Sequence, residues 1–141
     1  MKKYIILGLF TLVASILFSC QQNTTELREN LSGYWEIKEV TTLEGETKQY
    51  SISTVIDYIT LEGDTGKRTK VSPQLDGSFK HNGPTTSFTV DGSSGELILR
   101  YENAENMWIE KVKYASKETL RIVNQQGKEY SYKRFEKFNF K

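Results

Sequence analysis

Leu31-Ser32-Gly33-Tyr34-Trp35-Glu36-Ile37-Lys38 is the stretch on which the fold turns. Trp35 and Ile37 fall on one side of an extended chain, Glu36 and Lys38 on the other. That period of two, apolar against charged, is the pattern of a strand with one face buried and one face wet. The pattern recurs downstream. Leu97, Leu99 and Tyr101 oppose Glu96, Arg100 and Glu102; Leu120 and Ile122 oppose Arg121; Tyr130, Tyr132 and Arg134 oppose Ser131 and Lys133. Between such runs lie turn signals at short intervals: Glu44-Gly45, Glu62-Gly63-Asp64, Asp76-Gly77, Asn82-Gly83-Pro84, Asp91-Gly92, Glu105-Asn106 and Gln126-Gly127. The run 107–115 fits neither period, because Trp108 and Ile109 point oppositely, and a β-bulge is expected there. No stretch of helical period follows Leu31, and hairpin-length connections leave no room for crossover helices. The expected fold is all-β: an antiparallel up-and-down meander closed as a small barrel of about eight strands, which removes the sheet edges.

Working outward to the N-terminus, the character changes. Lys2 and Lys3 precede Tyr4 to Phe18, a run without a charge. It is long enough for a signal peptide and short of the roughly 20 residues of a spanning helix. A conventional cleavage site would need an Ala-x-Ala pattern, which does not occur near the end of the run, and a buried helix would show an amphipathic period. Leu17-Phe18-Ser19-Cys20 resembles a bacterial lipobox. The resemblance implies cleavage before Cys20, a diacylglyceryl thioether on its sulfur and commonly a third chain, such as palmitate, on the new N-terminus. Two or more chains give stable anchoring where one does not. Gln21 to Asn30 is polar and reads as a tether, with a short helical turn at 24–29 capped by Thr24 or Thr25. The expected organisation is a signal peptide over 1–19, lipidated Cys20 and tether over 20–30, and one barrel domain over 31–141.

Composition excludes several classes. The chain carries 19 basic and 18 acidic residues, a formal charge of +1. Loss of Lys2 and Lys3 with the signal turns this to −1. So balanced a charge argues against nucleic acid and against a polybasic lipid-binding face. Cys20 is the only cysteine, so no intramolecular disulfide forms and the core must be hydrophobic.

Gly33-Tyr34-Trp35 at the head of the first strand resembles the Gly-x-Trp signature of the lipocalin superfamily. Tyr130-Ser131-Tyr132-Lys133-Arg134-Phe135 resembles the last strand of the short lipocalin-like lipoprotein domains of Bacteroidota, in which an arginine packs over the first-strand tryptophan. Ser116 to Ile122, a turn then a strand, is similar to their penultimate strand. The resemblance covers the layout of 31–136 and implies that Gly33, Trp35 and Arg134 are structural residues. Physically, Trp35 would plug one barrel end and offer its ring to the Arg134 guanidinium, a contact worth about 0.5–2 kcal/mol. Gly33 would let the chain turn tightly into the strand. Asp57-Tyr58 is similar to another lipocalin element but falls too early in the chain.

Little points to chemistry. His81, the only histidine, lies beside a turn, with no second histidine or free thiol to complete a metal site. Neither a catalytic group nor a metal or other cofactor is expected. Carboxylates alternate outward or sit in turns, except Asp57, which shares the parity of Val55, Ile59 and Leu61 and is either a polar group in a pocket or a strand end. Gly63-Asp64-Thr65-Gly66-Lys67 has the wrong spacing for a phosphate loop and reads as a hairpin turn. Lys67, Arg68 and Lys70 read as a solvated edge, with a partner or lipid surface as the alternative.

The function expected is that of a non-enzymatic cell-envelope lipoprotein whose barrel binds a small apolar or amphipathic ligand. Beside Trp35, the expected lining is Ile37, Asp57, Leu97, Leu99, Leu120, Ile122, Tyr130 and Tyr132. The alternative is a protein-interaction module, an accessory subunit or inhibitor, that uses barrel loops on an envelope partner. A cavity above about 300 Å³ separates the first from the second. The membrane partner is reached through the lipid on Cys20. Gln21 after Cys20 resembles the outer-membrane sorting signal of enteric lipoproteins, in which a residue other than Asp permits export. The first acid of the tether, Glu26, comes six residues after Cys20, unlike the early acidic cluster of surface-exported lipoproteins. An outer-membrane protein facing the periplasm is expected.

Overall fold

The computed structural model describes residues 21–137; the signal peptide, Cys20 and the tail Phe138-Asn139-Phe140 lie outside the described residues. Helix α1 spans Thr24–Leu31. Nine strands follow: β1 Gly33–Thr41, β2 Thr47–Gln49, β3 Ile56–Glu62, β4 Thr65–Pro73, β5 Phe79–Asp91, β6 Leu97–Glu102, β7 Met107–Ala115, β8 Thr119–Asn124 and β9 Glu129–Arg134. Strands β3 to β9 pair in sequence order, and β9 returns to β1 from Trp35↔Arg134 to Thr41↔Glu129. The other edge of β1 is divided: Gly33–Trp35 pair with β3 and Glu39–Thr41 with β2. Eight antiparallel strands therefore close a barrel, and β2 is a short addition to its wall. Register shifts at Ile37/Glu39, Thr69/Val71 and Val112/Tyr114 mark the bulges that help the sheet curl shut. The irregularity in 107–115 thus lies toward the end of β7, while Trp108 keeps regular pairing with Tyr101.

The segment 24–31 is a structural part of the barrel, where its polar composition suggests a tether. Leu27 and Leu31, one helical turn apart, are 4% and 0% exposed and join the core. An eight-residue helix is marginal alone, so this one holds by docking. Asn23, rather than Thr24 or Thr25, caps it by accepting from the Glu26 amide at 2.9 Å. Arg28 ties it to the β3–β4 turn through the Gly63 carbonyl and the Asp64 carboxylate. The helix closes one barrel end. The core of Trp35, Ile59, Phe88, Leu97, Leu99, Leu120 and Ile122 fills the half above it. Gly66 belongs to this packing, because a Cβ there would collide with the Phe88 ring.

The outer face is not uniformly wet. Phe79 at the start of β5 stacks on Tyr34 at 4.1 Å, and Tyr34 stacks on Tyr58 at 4.3 Å. Ile56 and Val71, paired across β3 and β4, are buried. The long β4–β5 hairpin adds this second, external apolar cluster.

Candidate functional site

The two ends of the barrel are built differently. At the closed end the Arg134 guanidinium lies 4.1 Å from the Trp35 ring centroid, the contact implied by the resemblance. The Trp35 indole N–H donates to the Leu31 carbonyl at 2.9 Å. Arg134 itself donates to the carbonyls of Asn30, Ser32, Ser116 and Lys117. Two carbonyls at the end of α1, which the helix leaves without partners, are thereby satisfied. Gly33, at φ +144°, passes directly under Arg134, and a Cβ there would collide with Nη1. The glycine, the tryptophan and the arginine therefore form one lock joining α1, β1 and the β7–β8 turn. Arg134→Ala is expected to lower stability by about 1–3 kcal/mol in chemical denaturation; an unchanged midpoint would show that the lock carries no energy.

The open half contains a cavity of about 390 Å³. Strand alternation aims Asp57, Arg68, Lys70, Thr86, Tyr101, Trp108, Glu110, Tyr130 and Tyr132 into it, with Pro84 at the side. Arg68 organises its floor. Nε donates to Asp57 at 3.1 Å, Nη1 to Glu110 at 2.9 Å and to the Tyr101 hydroxyl at 3.4 Å, and Nη2 to the Tyr132 hydroxyl at 2.8 Å. Lys70 Nζ makes a second bond to Asp57 at 2.9 Å. The Asp57 side chain is 3% exposed and that of Lys70 54%, so the cluster grades from buried floor to open mouth.

The electrostatics follow from that grading. Burial pushes the Asp57 carboxyl up, but Arg68 and Lys70 together outweigh it and hold the group below its ordinary range. Burial opposes the charge on Arg68, yet Tyr132, Asp57, Tyr101 and Glu110 hold it protonated. Burial raises the hydroxyl pKa of both Tyr101 and Tyr132, so both remain neutral. Two cations and two carboxylates balance, and the phenols supply neutral hydrogen-bonding groups. Above them the Trp108 ring lies parallel to Tyr101 at 5.1 Å. The site can therefore hold a molecule that is flat or apolar on one side and hydrogen-bonding on the other.

Of the residues singled out in the sequence, Asp57, Tyr130 and Tyr132 line this cavity. Leu97, Leu99, Leu120 and Ile122 are at most 1% exposed, inside the packed core, and Ile37 packs against that core from its edge. None of these five is among the residues lining the cavity. Two corrections concern charge. Arg68 points inward, not to a solvated edge, because its parity on β4 is that of Gly66, which faces Phe88 in the core. Glu110 is a second inward carboxylate, on the face of Trp108 and Val112; the irregular period of 107–115 hid it. His81 is exposed on β5. Among the described residues no group of three or more His, Cys, Asp or Glu side chains is placed to hold a metal ion.

A crystal structure of a lipocalin-like protein from Bacteroides uniformis is similar at 15% identity over 75% of this chain and 99% of that one, with a TM-score of 0.47. No curated protein matches. The family model for the lipocalin-like domain matches residues 31–136, the span from the end of α1 to just past β9, and the chain belongs to the lipocalin-like domain family.

Proposed function

We propose that this protein binds a small amphipathic molecule in the open half of its barrel without chemically altering it. The observation that carries the reading is the cavity of about 390 Å³, with an aromatic wall and a hydrogen-bonding floor. Purely apolar ligands fit less well, because they would strip water from the floor without replacing its hydrogen bonds. The charge balance favours an uncharged or zwitterionic head group. A carboxylate would add a third anion beside Asp57 and Glu110, and an ammonium a third cation beside Arg68 and Lys70. Tryptophan fluorescence tests this, since Trp108 lines the cavity whereas Trp35 lies in the core. Monolaurin should change the emission saturably, and more tightly than laurate or dodecylamine. Absence of saturation with all three probes would count against a ligand site.

A second reading draws on the loops. Leu43, on the β1–β2 turn, and Met107, at the start of β7, lie at the open end and are 74% and 70% exposed. Exposed apolar tips of this kind suit contact with a protein partner at the cavity mouth.

The lipobox resemblance supports anchoring at Cys20, and the tether residues Gln21 to Glu26 favour the outer membrane and its periplasmic side. Cys20→Ser should accumulate as unprocessed precursor. Normal maturation of that variant, with retention in membranes, would contradict the anchor. Brief proteolysis of intact cells checks the side: the protein should survive, and its loss with a periplasmic control intact would place it on the cell surface.

A further inference from the structure

We propose that the helix-closed end of the barrel is laid against the head groups of the bilayer that holds the anchor, so that the cavity opens away from that bilayer. This rests on lipidation at Cys20. The controlling observation is how soon after Cys20 the chain is fixed. The Gln22 side-chain amide donates to the Ala115 carbonyl at 2.7 Å and accepts from the Ala115 amide at 3.0 Å, as a neighbouring strand would. Asn23 then caps α1, and Leu27 and Leu31 fasten the helix into the core. From Gln22 back to Cys20 the chain reaches at most about 7 Å. A free linker of ten residues would instead average roughly 17 Å and leave the barrel free to turn.

The face beside this attachment suits a head-group layer. It carries a polar groove of about 650 Å³ bounded by Gln21, Gln22, Glu26, Lys113, Tyr114 and Arg121. Its charges are mixed, with Lys111 paired to Glu96 and Arg121 to Glu129. The exposed Leu43, on the β1–β2 turn, and Met107, at the start of β7, lie at the other end. A nine-residue strand such as β1, tilted as barrel strands are, lifts that rim roughly 20 Å from the closed end. The cavity would therefore exchange ligand with the aqueous side or with a partner there, rather than directly with the anchoring leaflet.

The test uses the lipidated full-length protein in phosphatidylcholine vesicles carrying a nitroxide-labelled head-group lipid. A bimane fluorophore is placed at the closed end in Lys113→Cys or at the rim in Met107→Cys. Quenching should be several-fold stronger at 113 than at 107. A flexible Gly/Ser insertion of about 20 residues between Cys20 and Gln21, spanning roughly 25 Å, should erase the difference. Equal quenching without the insertion, or stronger quenching at 107, overturns the orientation. Failure of the protein to float with the vesicles would overturn the anchor, and the orientation with it.

Discussion

Trp35→Ala is expected to destabilise the protein by about 3–5 kcal/mol, the cost of deleting a large buried aromatic side chain. Trp35 is fully buried, and the lost ring serves three purposes. It fills the core beside Leu31, its N–H satisfies the Leu31 carbonyl, and its face receives Arg134. Truncation leaves a cavity, an unpaired carbonyl and an arginine without its ring. A small domain has only about 5–15 kcal/mol in hand, so the variant should unfold at far lower urea or fail to accumulate. Trp35→Phe should recover much of the packing but not the hydrogen bond. A loss below about 1 kcal/mol for Trp35→Ala would show that this end of the barrel is loosely packed.

Arg68→Met is the second large effect, and its size depends on pH. The substitution keeps much of the volume but leaves Asp57 with Lys70 alone and Glu110 without its ion pair. Removing one partner of a buried cluster costs about 3–5 kcal/mol at neutral pH. In the wild type, the Asp57 carboxyl is held below its ordinary 3.8 against the upward push of burial. Its contribution is therefore complete above that value and is lost as pH falls through the lower folded value. In Arg68→Met the push of burial loses its chief opponent, and native Asp57 should bind a proton at higher pH than in the wild type. The deficit of the variant should thus narrow between pH 7 and about 4 in urea melts. A deficit that does not change over that range would mean that lost packing, not charge, sets the cost. Adding Asp57→Asn should return part of the stability at pH 7.

The barrel was legible in the sequence because one-sided burial writes a period of two into β1, β6, β8 and β9. The pairing of Trp35 with Arg134 was legible because both ends of the meander carry a recognisable residue pattern. Helix α1 was harder to read: its apolar content is only Leu27 and Leu31, and nothing local says that the barrel end will bury both. The floor of the cavity was partly hidden for a similar reason. Arg68 and Glu110 are charged, and a charged residue in a strand ordinarily marks the wet face. Their inward direction depends on each neutralising the other across 42 residues of sequence. Asp57 carried a faint signal, because it breaks the polarity of its own strand face. The leucines of β6 and β8 are inward as their period requires, but the period does not tell how far up the barrel the packed core reaches.

Native mass spectrometry of the full-length protein, extracted gently from its own membranes, tests the central claim most directly. The wild type should carry one small molecule in addition to its lipid. Thr86→Phe, which fills the cavity beside Arg68 without entering the Trp35 lock, should carry none while folding normally. A wild-type protein found empty, or an adduct equally abundant in folded Thr86→Phe, would contradict the assignment of the cavity as a ligand site.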